Sequence, residues 1–232
     1  FYNPEYHLLG NHLLENGFSL LFGAYYFKDE ILYKEAVKIL KTELKEQVLV
    51  DGGHFELSPM YHQIMLVRVL DCIQLLQLNL WKNDDLLFFL ESIASQMLSW
   101  LKEVTFSNGD IPMVNDSSFG IAPSTEALIN YSERLGLVSK KMKLSDSGYR
   151  KFKNQKFELF VDVGHVGASY QPAHVHSDTF NFILYVDNQP VFVDTDCDTY
   201  EKNALRQSER STSSHNTVQV GQIEQTQVRG GF

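Results

Sequence analysis

Apolar residues recur with a helical period through roughly the first 140 residues, and with a period near two after that. Leu14, Phe18, Leu21, Phe22 and Tyr25 fall on one face of a helix predicted over residues 5–28. A second helix, 29–49, carries Ile31, Leu32, Ala36, Ile39, Leu40 and Leu44 on one side and lysines and glutamates on the other. Asp51-Gly-Gly ends it, because glycine admits the left-handed turn at a helix C-terminus. Ser58-Pro59, an N-cap followed by proline at the first helical position, opens a third helix running to about Asn79. A fourth spans roughly 84–104, and a short fifth, 124–135, follows a Gly-Asp-Ile-Pro loop. Short connections predict antiparallel helical hairpins.

The period changes near residue 145. Residues 157–163 read as a strand, 178–187 and 190–194 pair through the turn Asp187-Asn188-Gln189, and 216–221 read as a further strand. Helices followed by antiparallel strands give an α+β chain of two domains, 1–140 and 141–232. The hairpins are too few to close a ring and the sheet stops abruptly at Phe232, so the expectation is a fragment lacking elements at both ends.

Composition narrows the partners. The chain is 44% hydrophobic and 12% aromatic, enough for a large core, and its net charge of −9 argues against nonspecific nucleic-acid binding. Cys72 and Cys197 lie in segments of different character and read as unpaired thiols. No apolar run reaches the ~18 residues of a membrane span. Without an initial methionine or signal-like segment, the compartment is not readable from the chain itself.

Candidate chemistry gathers in residues 170–217. His174 and His176 stand two apart in Tyr170-Gln-Pro-Ala-His-Val-His-Ser-Asp178, which on a strand puts both imidazoles on one side. Asp194 ends the next strand and His215 follows later, an imidazole and carboxylate set suited to a zinc-type ion, with Asp178 or Asp196 as substitutes for Asp194. The competing reading is a hydrogen-bonded polar cluster without metal. In the helical half, His7, Asn11 and Glu15 recur every four residues beside His12 and would line one helix face. Tyr61 and His62 fall in the first turn after Ser58-Pro59, where the helix dipole would help a phenol ionise and disfavour an imidazolium.

Four blocks carry a resemblance. Gly10-Asn11-His12-Leu-Leu-Glu15-Asn16-Gly17, Asp51-Gly-Gly-His54-Phe-Glu-Leu-Ser-Pro-Met-Tyr61-His62, His174-x-His176-x-Asp178-Thr and Arg210-Ser-Thr-x-x-His215-Asn216-Thr217 resemble, in order and spacing, the heparinase II/III-like family of polysaccharide lyases. The resemblance covers nearly the whole chain. It implies an (α/α) toroid followed by an antiparallel β-sandwich with the substrate cleft between them, this chain holding the last toroid hairpins and the first sandwich strands. Leu57 departs from the pattern, since many relatives have arginine there.

The implied chemistry is β-elimination at a uronic acid: proton abstraction at C5, with the carboxylate neutralised as an enolate-like intermediate forms. By resemblance, Asn11, with His12 or His174, neutralises the carboxylate, and Tyr61 shuttles the proton at the glycosidic oxygen or acts as base. His12 and His174 are rival bases, Glu15 orients His12, and Tyr200 is a second cleft tyrosine. His176, Asp194 and His215 match positions where some relatives bind zinc, in a structural role that would hold His174 at the cleft. No organic cofactor is implied. The expected partner is an acidic polysaccharide, and the charge balance favours a less sulfated uronate glycan over heparin. The family suggests a periplasmic or secreted bacterial setting. Two other readings stand beside the lyase: a metal-dependent glycan hydrolase, and a non-catalytic glycan-binding or capsule-assembly protein on the same fold.

Overall fold

Five helices form where the helical period predicts them. The computed structural model describes residues 3–82, 84–165, 167 and 174–228; Tyr170 lies outside the described residues. In chain order the helices are α1 (Gly10–Phe27), α2 (Glu30–Gln47), α3 (Pro59–Leu78), α4 (Leu86–Val104) and α5 (Thr125–Arg134). Asp29 caps α2 through the amides of Ile31 and Leu32, and Ser58 caps α3 through the Tyr61 amide with Pro59 in the first turn. The pairs α1/α2 and α3/α4 pack as hairpins, α1 and α2 being joined by two residues only.

Two local expectations shift here. Helix α1 begins at Gly10, not near residue 5, because Leu9 and Gly10 both adopt left-handed backbone (φ 58°), so exposed His7 stands in the preceding turn, off the Asn11–Glu15 face. Phe22, expected on the buried face, is 44% exposed. Asp51-Gly-Gly is likewise a tight loop beyond the end of α2, closed by a bridge between Val48 and His54. Gly52 is left-handed there, and a Cβ on it would stand 2.3 Å from the Gln96 carbonyl oxygen. The Asp51 carboxylate reaches across to the amides of Ser145 and Ser147 and to the Ser147 hydroxyl, pinning the entry to the sheet.

The sheet is a four-stranded antiparallel meander, β1 (Tyr149–Lys153), β2 (Phe157–Asp162), β3 (Phe182–Val186) and β4 (Gln189–Phe192), in sequence order. Tyr149, Phe160, Ile183 and Tyr185 face the helices and share one apolar cluster with Leu66, Leu70, Trp100 and Leu101. Tyr185 stacks on Phe106, ring centroids 4.0 Å apart. The chain is therefore α+β with a core continuous from helices to sheet. A short helix, α6 (Ala204–Glu209), follows the sheet.

Three strand expectations are corrected. His174 and His176 lie on irregular chain. Strand β3 starts only at Phe182, since Phe180 has φ 67° and breaks the extended run. Residues 216–221 contain only an isolated bridge, Val220 to Ile223, because Asn216 turns its side chain to the Phe182 and Val193 carbonyls.

Candidate active site

The loop between α4 and α5 supplies the residue around which the candidate side chains assemble, Asp116. Its carboxylate is fully buried; Oδ2 accepts from His174 Nδ1 and Oδ1 from His176 Nε2, each at 2.9 Å. Arg206, on α6, grips both oxygens through its two terminal nitrogens at 2.5 and 2.6 Å. Burial raises the Asp116 pKa, but the hydrogen bonds from His174, His176 and Arg206 outweigh it and hold the carboxyl well below the usual range. One carboxylate thus orients both members of the His-x-His pair, a task that strand alternation was expected to perform.

The same loop sets α3. Ser58 Oγ donates to the Asp116 carbonyl at 2.7 Å while capping the Tyr61 amide, and Asn115 donates to the Leu57 carbonyl. Leu57 is buried with φ 58°, and its carbonyl also accepts from the Tyr149 hydroxyl. Its side chain lies in the core.

Tyr61 projects from this fixed helix start and lies over His174, ring centroids 4.1 Å apart and planes tilted 35°. Its hydroxyl donates to Tyr200 at 3.2 Å, and Tyr200 packs edge-on to His174 and over the Arg206 guanidinium. Burial raises the Tyr61 pKa. The dipole effect expected to favour a phenolate is overridden by desolvation, so the phenol stays neutral. His62 is neutral for a different reason than the helix end. Its Nδ1 accepts from the His54 amide, its Nε2 donates to the Met97 carbonyl, and burial brings its pKa down to about 3.

From α1, Asn11 is buried and donates to Glu56 Oε2 at 3.3 Å; the same oxygen is 3.8 Å from His174 Nε2. His12 is half-buried on the next position. Glu15, expected to orient His12, pairs with Arg68 at 3.3 Å on the helix surface. Asn11, Tyr61, His174 and Tyr200 thus meet at one corner.

A second polar cluster sits behind it. Donor atoms of Asp178, Asp194 and His215 lie within 4.8 Å of one another, and the His176 ring is 5.2 Å from the His215 ring. Asp194 holds His215 Nδ1 at 2.7 Å and also accepts from Asn181. His176 Nδ1, Asp178 Oδ2 and His215 Nε2 are buried without a hydrogen-bond partner. Burial and the neighbouring Asp178 push Asp162 up to about 8; burial also raises Asp178. Orphaned imidazole and carboxylate atoms beside crowded buried carboxylates fit a zinc-type cation at Asp178, Asp194 and His215; His176, the third predicted ligand, is not in this group, its Nε2 being turned to Asp116. Asp196, the other substitute, is not in this group.

Two buried arginines near the site serve internal partners: Arg206 holds Asp116, and Arg210 donates to the Val175 carbonyl. Cys72 and Cys197 are free and buried, the latter touching Arg206. Asp116 and Glu56 were not singled out by sequence reasoning. Glu56 lies inside a matched block, but Asp116 sits in a non-periodic loop 58 and 60 residues from the histidines it binds.

A family model described as Heparinase II/III N-terminus matches residues 1–144, and one described as Heparinase II/III-like, C-terminal, matches 138–232. A heparin-sulfate lyase of Bacteroides stercoris is 25% identical over 96% of this chain, which spans 37% of that protein's length. A crystal structure of heparinase III superposes with a TM-score of 0.73 at 20% identity, covering 94% of this chain and 40% of that one. Heparan sulfate lyase HepC from Pedobacter heparinus gives 0.65 at 19% identity, covering 90% and 37%.

Proposed function

The chain belongs to the heparinase II/III-like family, and on that premise we propose that it is part of a polysaccharide lyase cleaving a uronate-containing glycan by β-elimination. The observation that carries the proposal is the meeting of Asn11, Tyr61, His174 and Tyr200 at one corner, each held by a buried or capped partner. Asn11 and His174 point nitrogens at one carboxyl oxygen, the arrangement needed to neutralise a uronate carboxylate as negative charge builds on it. Tyr61, a neutral phenol, delivers its proton to the departing glycosidic oxygen with Tyr200 beside it. His12, less buried than His174, takes the C5 proton. With both buried arginines held internally, the substrate is a lightly sulfated or unsulfated glycan in preference to heparin.

A zinc-type ion at Asp178, Asp194 and His215 would supply cross-linking, not a catalytic step. The chain's own residues do the rest: Asp116 orients His174 and His176 whether or not the ion is bound. The finer architecture follows the family: the helical hairpins are part of an (α/α) toroid, residues 1–140, and the sheet is the first layer of a β-sandwich, residues 141–232. Supporting the sandwich, the sheet face turned from the helices carries Phe152, Leu159, Val161, Phe182, Leu184 and Phe192, an apolar set that a second sheet would cover. A 4,5-unsaturated uronyl product tests the reading; a saturated, hydrated end would point to a hydrolase.

A further inference from the structure

One residue holds both ends of Asn11. Gln47, the last residue of α2, is fully buried. Its Nε2 donates to the Gly10 carbonyl at 2.8 Å and to Glu43 Oε2 at 2.9 Å, while its Oε1 accepts from His54 Nε2 at 3.0 Å. The Gly10 carbonyl belongs to the planar peptide unit that enters Asn11, so this bond fixes the backbone from which the Asn11 side chain departs. At the other end, the Gln47 carbonyl accepts at 2.8 Å from the amide of Phe55, the residue before Glu56. Glu56 Oε2 in turn accepts from Asn11 Nδ2 at 3.3 Å. The start of α1 does not fix Asn11 by itself. No side chain caps it, and Leu9 stands at φ 58°, ψ −160°, a region that residues with side chains rarely occupy, with Gly10 left-handed after it. Leu9 is 40% exposed, so its own packing does not hold that backbone. Such strain persists where surrounding contacts over-determine the conformation, and the buried Gln47 amide supplies one.

We infer that Gln47 is a positioning residue for the lyase site, holding the Asn11 amide where it meets a uronate carboxylate. The consequence for turnover rests on the lyase reading; the hold on Asn11 does not. Glu43, one turn back on α2, and His54 keep the Gln47 amide in the orientation that presents Nε2 to Gly10. An apolar residue of similar length would fill the same space, but it would deprive the Gly10 carbonyl of this donor and release the peptide that carries Asn11. The bond from Asn11 to a uronate strengthens as negative charge develops on the carboxylate. Displacing that amide is therefore felt in turnover more than in substrate binding.

The test uses the full-length protein with asparagine and glutamine side-chain amides isotopically labelled for nuclear magnetic resonance, the Asn11 signals being assigned by their loss in Asn11→Asp. Gln47→Met is expected to shift the Asn11 amide signals while those of Asn181, buried in the second cluster, stay in place. On an unsulfated uronate polysaccharide the same variant loses on the order of a hundredfold in kcat, the cost of misplacing a reacting group by about an ångström, with KM within about threefold. Gln47→Asn, which stays polar but is one methylene shorter, is expected to do the same. A folded Gln47→Met with the Asn11 signals in place, or with wild-type kcat, overturns the inference. So does a shift of Asn11 and Asn181 alike, the mark of a merely structural role. If neither variant folds, the wild type decides: a nuclear Overhauser contact between the Gln47 side-chain amide protons and those of Gly10 supports the inference, and its absence overturns it. If wild-type products lack unsaturated ends, the lyase reading fails, and the Asn11 signals still decide whether Gln47 positions that residue.

Discussion

The Tyr61 ring lies against the His174 imidazole, centroids 4.1 Å apart, and joins the start of α3 to the irregular segment between β2 and β3. Neither residue would hold this position alone: Ser58 fixes the first from the helix cap, and Asp116 fixes the second from the α4–α5 loop. Tyr61→Phe keeps the ring contact and removes only the hydroxyl. It is expected to fold normally, bind glycan and lose ~10²–10⁴-fold in kcat, the usual contribution of a positioned acid or base. Steady-state kinetics with a separate binding assay checks this; unchanged turnover would remove Tyr61 from the chemistry.

Asp116 offers a sharper structural prediction. Replacing it with Asn leaves the buried Arg206 guanidinium without its counter-charge, which costs about 3–5 kcal/mol when one partner of a buried pair is removed. Adding Arg206→Met should recover part of that loss, so that the double variant is more stable than additivity predicts. Urea denaturation of the four proteins in the cycle measures the coupling.

The buried imidazoles set the acid limit of stability. His54 and His62 are both brought down to about 3 by burial, against about 6.5 for an unfolded histidine. The unfolded chain binds these protons between those values and the folded chain does not. Stability should therefore be fully present above pH ~6.5 and fall as the pH drops towards 3. Replacing His62 with Gln should lower stability at neutral pH and flatten this slope, as thermal melts across the range would record.

Sequence pattern alone located the five helices of the first 140 residues, because 3.6-residue periodicity and the Ser58-Pro59 start signal are local features, but not α6, which carries Arg206. The site was legible only in part. Asn11, Tyr61, His174 and His215 stand in recognisable blocks, but what brings them together is Asp116, whose partners His174 and Arg206 are 58 and 90 residues away. The strand expected at 216–221 failed for a related reason: the Asn216 side chain bonds to backbone carbonyls 34 and 23 residues distant, and no local pattern reports that. The dipole expected to act at the start of α3 does not account for either residue: burial raises the Tyr61 pKa and burial lowers that of His62, and desolvation depends on packing.

Metal removal should act on the sheet more than on the helices. If Asp178, Asp194 and His215 hold zinc, a chelator lowers the melting temperature, and hydrogen exchange speeds up in β3 and β4 before α3 and α4. Asp178→Asn and His215→Ala should each abolish the chelator's effect. Equal melting with and without chelator in metal-loaded protein would leave a hydrogen-bonded polar cluster as the better account.

The most direct measurement of the central claim is product analysis after incubating the full-length protein with uronate polysaccharides graded from unsulfated to heavily sulfated. The expected result is a rise in ultraviolet absorbance from 4,5-unsaturated uronyl ends, largest on a weakly sulfated member and abolished by Tyr61→Phe. Saturated ends bearing the elements of water, or glycan bound and released uncut across the whole series, would contradict it.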